Sequence, residues 1–196
     1  MTRRELLRRV VLVCCSFGRN LAYYRVGQEG AFSPLLGPSH PHASFWLQAN
    51  SSFLYVTALE WCKLIGDKKG KHSWHNIVTD PPGVETDLLA KLGMTAVAFA
   101  KDSQAIRHYR DKFVAHLDSE PVIHVPGLMT AQTAVWFYHE HIVTKEASAG
   151  DLAGLVDTPD KMMRGYEVCQ KEASNIFAHA LNHNGSNDPR RPGSRG

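Results

Sequence analysis

No apolar run in this 196-residue chain approaches the ~20 residues of a membrane helix. No Cys-x-x-Cys occurs, and the only cysteines are Cys14, Cys15, Cys62 and Cys169. Adjacent Cys14 and Cys15 cannot readily bridge, and all four lie in apolar helical patterns. They read as buried free thiols in a reducing compartment, hence a cytoplasmic protein. Charge of one sign is also scarce. The formal net charge is +3, and Arg190, Arg191 and Arg195 against Asp188 contribute +2 of it at the C-terminus. Overall charge therefore argues for no polyanion partner, and such a ligand would need a local patch. Period-two alternation and internal repeats are missing, which excludes sheet sandwiches and solenoids. The histidine pairs His40/His42, His72/His75 and His139/His141 lack a Cys or carboxylate set at metal-ligand spacing, so no metal and no cofactor is expected. Basic residues before the run Val10 to Cys15 imitate a signal peptide. The run is short and no small-residue cleavage site follows, so an amphipathic helix explains it better.

What is present is helical periodicity. Leu6, Val10, Cys14, Phe17, Leu21 and Tyr24 step by three and four, predicting a helix over about 4–25. The Gly- and Pro-rich stretch 27–41 reads as a long loop. A second helix is expected over about 43–65, with Phe53, Val56 and Leu64 on one stripe and Gly66 as its stop. A basic loop with Lys68, Lys69 and Lys71 follows, then a break at Pro81-Pro82-Gly83 and a short helix from Glu85 to Leu92, capped by Gly93. Further helices are expected over about 96–117 and 129–147. The last begins with Thr158 as N-cap, Pro159 in the first turn and Asp160 at the positive dipole end. Its stripe is Met162, Tyr166, Cys169, Ala173, Ile176 and Ala180. Trp46, Trp61, Trp74 and Trp136 read as core or loop anchors, and Arg3, Arg4, Arg8 and Arg9 as a solvated face. The expected architecture is all-α, a bundle of about five long helices plus a short one. It forms one domain over residues 1–182, followed by a disordered tail over 183–196.

One segment concentrates reactive groups. In Tyr109-Arg110-Asp111-Lys112-Phe113-Val114-Ala115-His116-Leu117-Asp118, Ile106, Tyr109 and Phe113 mark the buried stripe, and Arg110 and His116 flank its edge. In a straight helix these two sit about 9 Å apart along the axis and roughly 120° apart around it. A long Arg side chain can reach toward the His, or the two can meet across a dimer seam.

Arg110, five residues, then His116 matches the Arg-(four to six)-His signature of the HEPN superfamily. The block "YRDKFVAHLD" resembles its abortive-infection, AbiU-type branch. "ALEWCKLIG" from Ala58, "HSWHNIV" from His72 and "VPGLMTAQTAVWFYHEH" from Val125 are similar to the same group, so the resemblance covers roughly residues 1–145. It implies a helical bundle that pairs with a second copy and a metal-independent endoribonuclease site at the seam. RNA would be its substrate, and an antitoxin protein a partner. His116 would act as general base or acid and Arg110 as phosphate clamp. Glu60 or Asp118 would orient them, and Asn20 and Tyr23 would line the groove. Some HEPN toxins carry a Tyr two residues after the His, which a partner nucleotidyltransferase modifies; here that place holds Asp118, so such control is not implied.

Two other readings stay open. A non-catalytic HEPN module would bind nucleotide, RNA or a protein partner. Alternatively, the chain is purely structural, and Arg110 and His116 belong to a helix surface with an Arg–Asp pair and a satisfied His.

Overall fold

Helix α1 (Arg3–Gly27) starts one residue earlier than its periodicity suggests because Thr2 and Glu5 form a capping box. Glu5 N–H donates to Thr2 Oγ1 at 3.2 Å, and Thr2 N–H donates to the Glu5 carboxylate at 2.8 Å. A computed structural model describes the backbone of residues 1–115 and 127–184 and the side chains of 1–112 and 127–182. These residues are all-helical, with no strand among them.

After α1 come α2 (Ser33–Leu36), α3 (Ala43–Trp61), α4 (Trp74–Ile77), α5 (Pro81–Leu92), α6 (Ala96–Tyr109), α7 (Met129–His141) and α8 (Pro159–Asn184). Three helices continue into π-helical segments: Cys62–Gly66 after α3, Arg110–Ala115 after α6 and Ile142–Glu146 after α7. Helix α1 is the spine, packed mainly against α3 and α8. Val10, Val11, Cys14, Phe17 and Leu21 are fully buried on it, with Leu54, Ala58 and Trp61 of α3 and Val135 and Tyr138 of α7 completing the main core.

The structure departs from the periodicity in instructive places. The stretch expected as open loop folds into a 3₁₀ turn at Gly30–Phe32 and then α2. Phe32 and Leu35 thereby form a second small core with Val26, Ala173 and Phe177. Pro81 and Pro82, expected as a break, occupy the first turn of α5, where a missing N–H leaves no bond unmade. Asp80 caps that turn by accepting from Gly83 N–H at 3.2 Å, and Gly93 ends it at φ 62°. The N-terminus of α8 is as expected, with Lys161 N–H donating to Thr158 Oγ1 at 3.2 Å. Further along α8 the buried face drifts, so Phe177 is inside at 3% exposure and Ile176 outside at 50%. Of the tail expected from residue 183, the first two residues end α8 and the rest lies outside the described residues.

The basic N-terminal face is not simply solvated. Arg4 donates to the Gly150 carbonyl at 3.3 Å, and Arg8 to those of Asp151 and Ala153 at 3.1 and 3.0 Å. Arg3 donates to the Ile77 carbonyl and pairs with Glu146. That carboxylate also accepts from Thr79 N–H at 2.7 Å, Thr79 Oγ1 at 2.8 Å and His141 Nε2 at 3.1 Å. The clasp ties the start of α1 to the ends of α4 and α7.

Burial alone raises the Glu146 pKa, but Thr79, His141 and Arg3 outweigh it and hold the carboxyl below its usual range. A folded-state pKa below the unfolded one contributes stability above the unfolded value, near 4.3, and loses it as pH falls through the folded value. Glu146→Gln is expected to lower stability by about 1–3 kcal/mol at pH 7, and urea titrations should show the gap to wild type closing below about pH 4. A second test concerns close packing. A Cβ on Gly27 would lie 2.2 Å from Asn50 Oδ1 and 3.1 Å from the Phe177 ring, whereas one on Gly165, exposed in mid-α8, meets nothing within 4 Å. By denaturant melts, Gly27→Ala should destabilise by about 1–3 kcal/mol and Gly165→Ala stabilise by about 0.5–1 kcal/mol.

Candidate functional site

The signature segment sits where α6 gives way to its π-helical extension. Thr95 caps α6, its Oγ1 accepting from Ala98 N–H at 3.2 Å, and Ile106 and Tyr109 anchor it at 1% and 2% exposure. From Arg110 onward backbone bonding shifts from i→i+4 to i→i+5. The coil is therefore wider than an α-helix over Arg110–Ala115 and turns fewer degrees per residue. His116 and Asp118 themselves lie outside the described residues.

Arg110 is half-buried and doubly engaged. Its Nη1 donates to Asp67 Oδ2 at 2.5 Å and its Nε to Asp111 Oδ1 at 2.7 Å. The Asp67 bond, more than Asp111, raises the guanidinium pKa further against the opposing effect of burial. One turn earlier, Arg107 Nη1 donates to the Gly66 carbonyl at 3.4 Å. Two arginines of α6 thus hold the end of the Cys62–Gly66 segment. Beneath them the Cys62 thiol is pushed up to about 12, chiefly by burial, so it stays protonated at neutral pH. All four cysteines are free.

Asp67 is the partner that sequence reasoning missed. It stands immediately after the Gly66 stop, where a surface acid draws no attention, and only the α3–α6 packing brings it to Arg110. Glu60, expected to orient the Arg or the His, is bound elsewhere. Its Oε1 accepts from Ser16 Oγ at 3.2 Å and its Oε2 from Lys63 Nζ at 2.9 Å. Asn20 Nδ2 donates to the Ser16 carbonyl at 2.8 Å, so Asn20 and Glu60 meet through Ser16. Tyr23 points toward α8. Its hydroxyl donates to Glu172 at 2.7 Å and its ring lies edge-on to Phe53 at 5.1 Å. Burial first, then the Glu172 bond, pushes its pKa up to about 12.

Lys68, Lys69 and Lys71 lie on a loop fixed from below. Asn76 Nδ2 donates to the carbonyls of Lys68 and Gly70 at 2.9 and 3.0 Å, and Ser73 N–H donates to the Gly70 carbonyl at 3.0 Å. The basic loop and Arg110 share one edge of the bundle through Asp67.

A larger cleft, about 520 Å³, lies instead between α7 and the start of α8, among Trp136, His139, Met162 and the Lys91–Glu140 ion pair. Burial pushes the His139 imidazole pKa down, and its Nε2 donates to the Val156 carbonyl at 3.0 Å, while His141 joins the Glu146 clasp. No group of three or more His, Cys, Asp and Glu converges on a metal-sized site among the described residues, and no helix there is long and apolar enough to cross a membrane.

Compared with family models, curated proteins and solved structures, the chain finds no match in any of the three. The Arg110–Asp67 bond is open to direct measurement. A double-mutant cycle of Arg110→Ala and Asp67→Ala should give a coupling of about 1 kcal/mol, diminished at 1 M salt, since the pair is partly exposed.

Proposed function

We propose that this chain is a HEPN-type, metal-independent endoribonuclease of the toxin or phage-defence kind, acting as a homodimer in the cytoplasm. The observation that carries the reading is the placement of Arg110, held by two carboxylates on a π-helical segment beside a fixed basic loop. Such segments recur at functional sites. A guanidinium carries five N–H groups, so two bonds to aspartates do not exhaust its donors for a phosphate. Asp67 and Asp111 set its direction in advance, which reduces reorganisation when charge develops on the phosphate.

In the proposed reaction, His116 takes the proton of an RNA 2′-OH, and that oxygen attacks the adjacent phosphorus. The bond to the 5′-oxygen breaks, leaving a 2′,3′-cyclic phosphate. The 5′-oxygen takes up a proton from His116 of the second copy. Arg110 stabilises the extra negative charge of the five-coordinate phosphorus. An antitoxin protein would restrain the activity in the cell.

The double pairing of Arg110 also favours a second reading. An arginine already neutralised by two carboxylates suits a non-catalytic module that binds nucleotide, RNA or a protein partner.

The test compares wild type, Arg110→Ala and His116→Ala, each checked for equal folding, on RNA in the presence of chelator. Wild type should cut and leave 2′,3′-cyclic ends, and each variant should lose about 10²-fold or more in rate. Undiminished cutting by His116→Ala removes the assigned site. RNA binding without cutting by wild type moves the protein to the second reading.

A further inference from the structure

A small cavity of about 80 Å³ opens between the basic loop, α4 and α6, lined among others by Lys68, Trp74, His75, Ser103, Arg107 and Glu85. We infer that this cavity is a second phosphate subsite, in which Lys68, Arg107 and the His75 ring hold a backbone phosphate of single-stranded RNA adjacent to the one at Arg110. The inference rests on the RNA reading above and assigns where the strand runs.

Size comes first. A cavity of about 80 Å³ has room for several waters or one small oxyanion. Charge is next. Two permanent cations, Lys68 and Arg107, face one acid, Glu85, among the lining groups. Neutral donors complete the set. Ser73 Oγ lies 3.3 Å from His75 Nδ1, and a hydroxyl donated there leaves the neutral ring's proton on Nε2. Burial, and then Lys68, depress the His75 pKa against the opposing effect of Glu85. Trp74, 2% exposed, contributes to the wall of the cavity.

The donors are also preorganised. Lys68 rides on the loop pinned by Asn76, and Arg107 is braced against the Gly66 carbonyl. Arg107 and Arg110 are three residues apart on α6, so their side chains emerge from one helix about one turn apart. Lys68 follows Asp67, the partner of Arg110. The cavity and Arg110 are therefore built from the same two segments, as subsites for consecutive phosphates of one strand must be.

The experiment separates binding from cutting by using a 2′-O-methyl RNA decamer, which has no 2′-OH to attack. Its affinity is read by fluorescence anisotropy between 50 and 200 mM salt for wild type, Lys68→Gln, Arg107→Gln, Arg110→Gln and the distant Lys91→Gln. Lys68→Gln and Arg107→Gln are expected to weaken binding about 5- to 10-fold and to flatten the salt dependence by about one phosphate contact each, with Lys91→Gln unchanged. In wild type, the Trp74 indole N–H resonance should shift as the decamer is added. Wild-type affinity and slope in both cavity variants, with loss only in Arg110→Gln, overturns the subsite and leaves the RNA reading standing. No decamer binding by wild type overturns both. A Trp74 shift with inorganic phosphate but not with the decamer makes the cavity a free-anion site and overturns its assignment to RNA.

Discussion

The structure depends on burying α1 on more than one side. Its stripe of Val10, Val11, Cys14, Phe17 and Leu21 has no exposure at all, with α3 on one flank and α8 on the other. Such burial requires backbones to approach closely, and two glycines permit it. Gly18 admits the Trp136 ring and the Met162 methyl, and Gly27 admits Asn50 and Phe177. Once α1 is enclosed, its ends need anchoring. The arginines of its first turns reach carbonyls of the loop at 150–153 and the buried carboxylate of Glu146, and Arg25 near its other end donates to Gln132 and to the Tyr166 hydroxyl. Charged side chains here act as struts between helices, their stems lying on apolar surface and their heads on carbonyls.

That enclosure also decides where chemistry can occur. Helix α3 runs along α1 and ends in the π-helical segment Cys62–Gly66, all buried except Lys63. The chain leaves the core at Asp67, and there the end of α6 meets it. Arg107 takes the Gly66 carbonyl and Arg110 takes the Asp67 carboxylate. Two consecutive turns of α6 thus fix the start of the lysine loop, and Asn76 fixes its middle. Among the described residues, Lys68, Lys69, Lys71, Arg107 and Arg110 gather at this edge although the overall charge is weak. A phosphate-binding reading draws on this edge of the bundle. The larger cleft between α7 and α8, bordered by Glu140 and Asp160 as well as Lys91, offers no comparable excess of positive charge.

The two functional readings differ in what the aspartates do for Arg110. As supports, they hold a guanidinium in the direction a phosphate will need, and an incoming dianionic transition state competes with them successfully because it carries more charge. As final partners, they neutralise it, and the site binds without turning over. Both readings use the same edge of the fold and the same lysine loop.

Much of the fold was legible from spacing. The three- and four-residue steps marked α1, α3, α6 and α8, because an amphipathic helix writes its buried face into its own sequence. Thr158, Gly93 and the capping residues are likewise local signals. Less was legible where local rules compete. Pro81 and Pro82 read as a break but begin a helix, and the stretch around Phe32 and Leu35 read as a loop but builds a core, since only the neighbouring faces of α1, α3 and α8 offer it a surface to bury. Arg110 could be singled out as a candidate, yet its partner could not. Asp67 is 43 residues away, and Glu60, on a tempting stripe, goes to Ser16 and Lys63 instead. By itself the sequence determined an all-helical chain and the segment in which to look for chemistry, because helix periodicity and residue type are local properties. Only the tertiary structure decided which acids hold Arg110, where the lysines gather and how the helix bends to π geometry at that point, because those follow from which helix faces are pressed together.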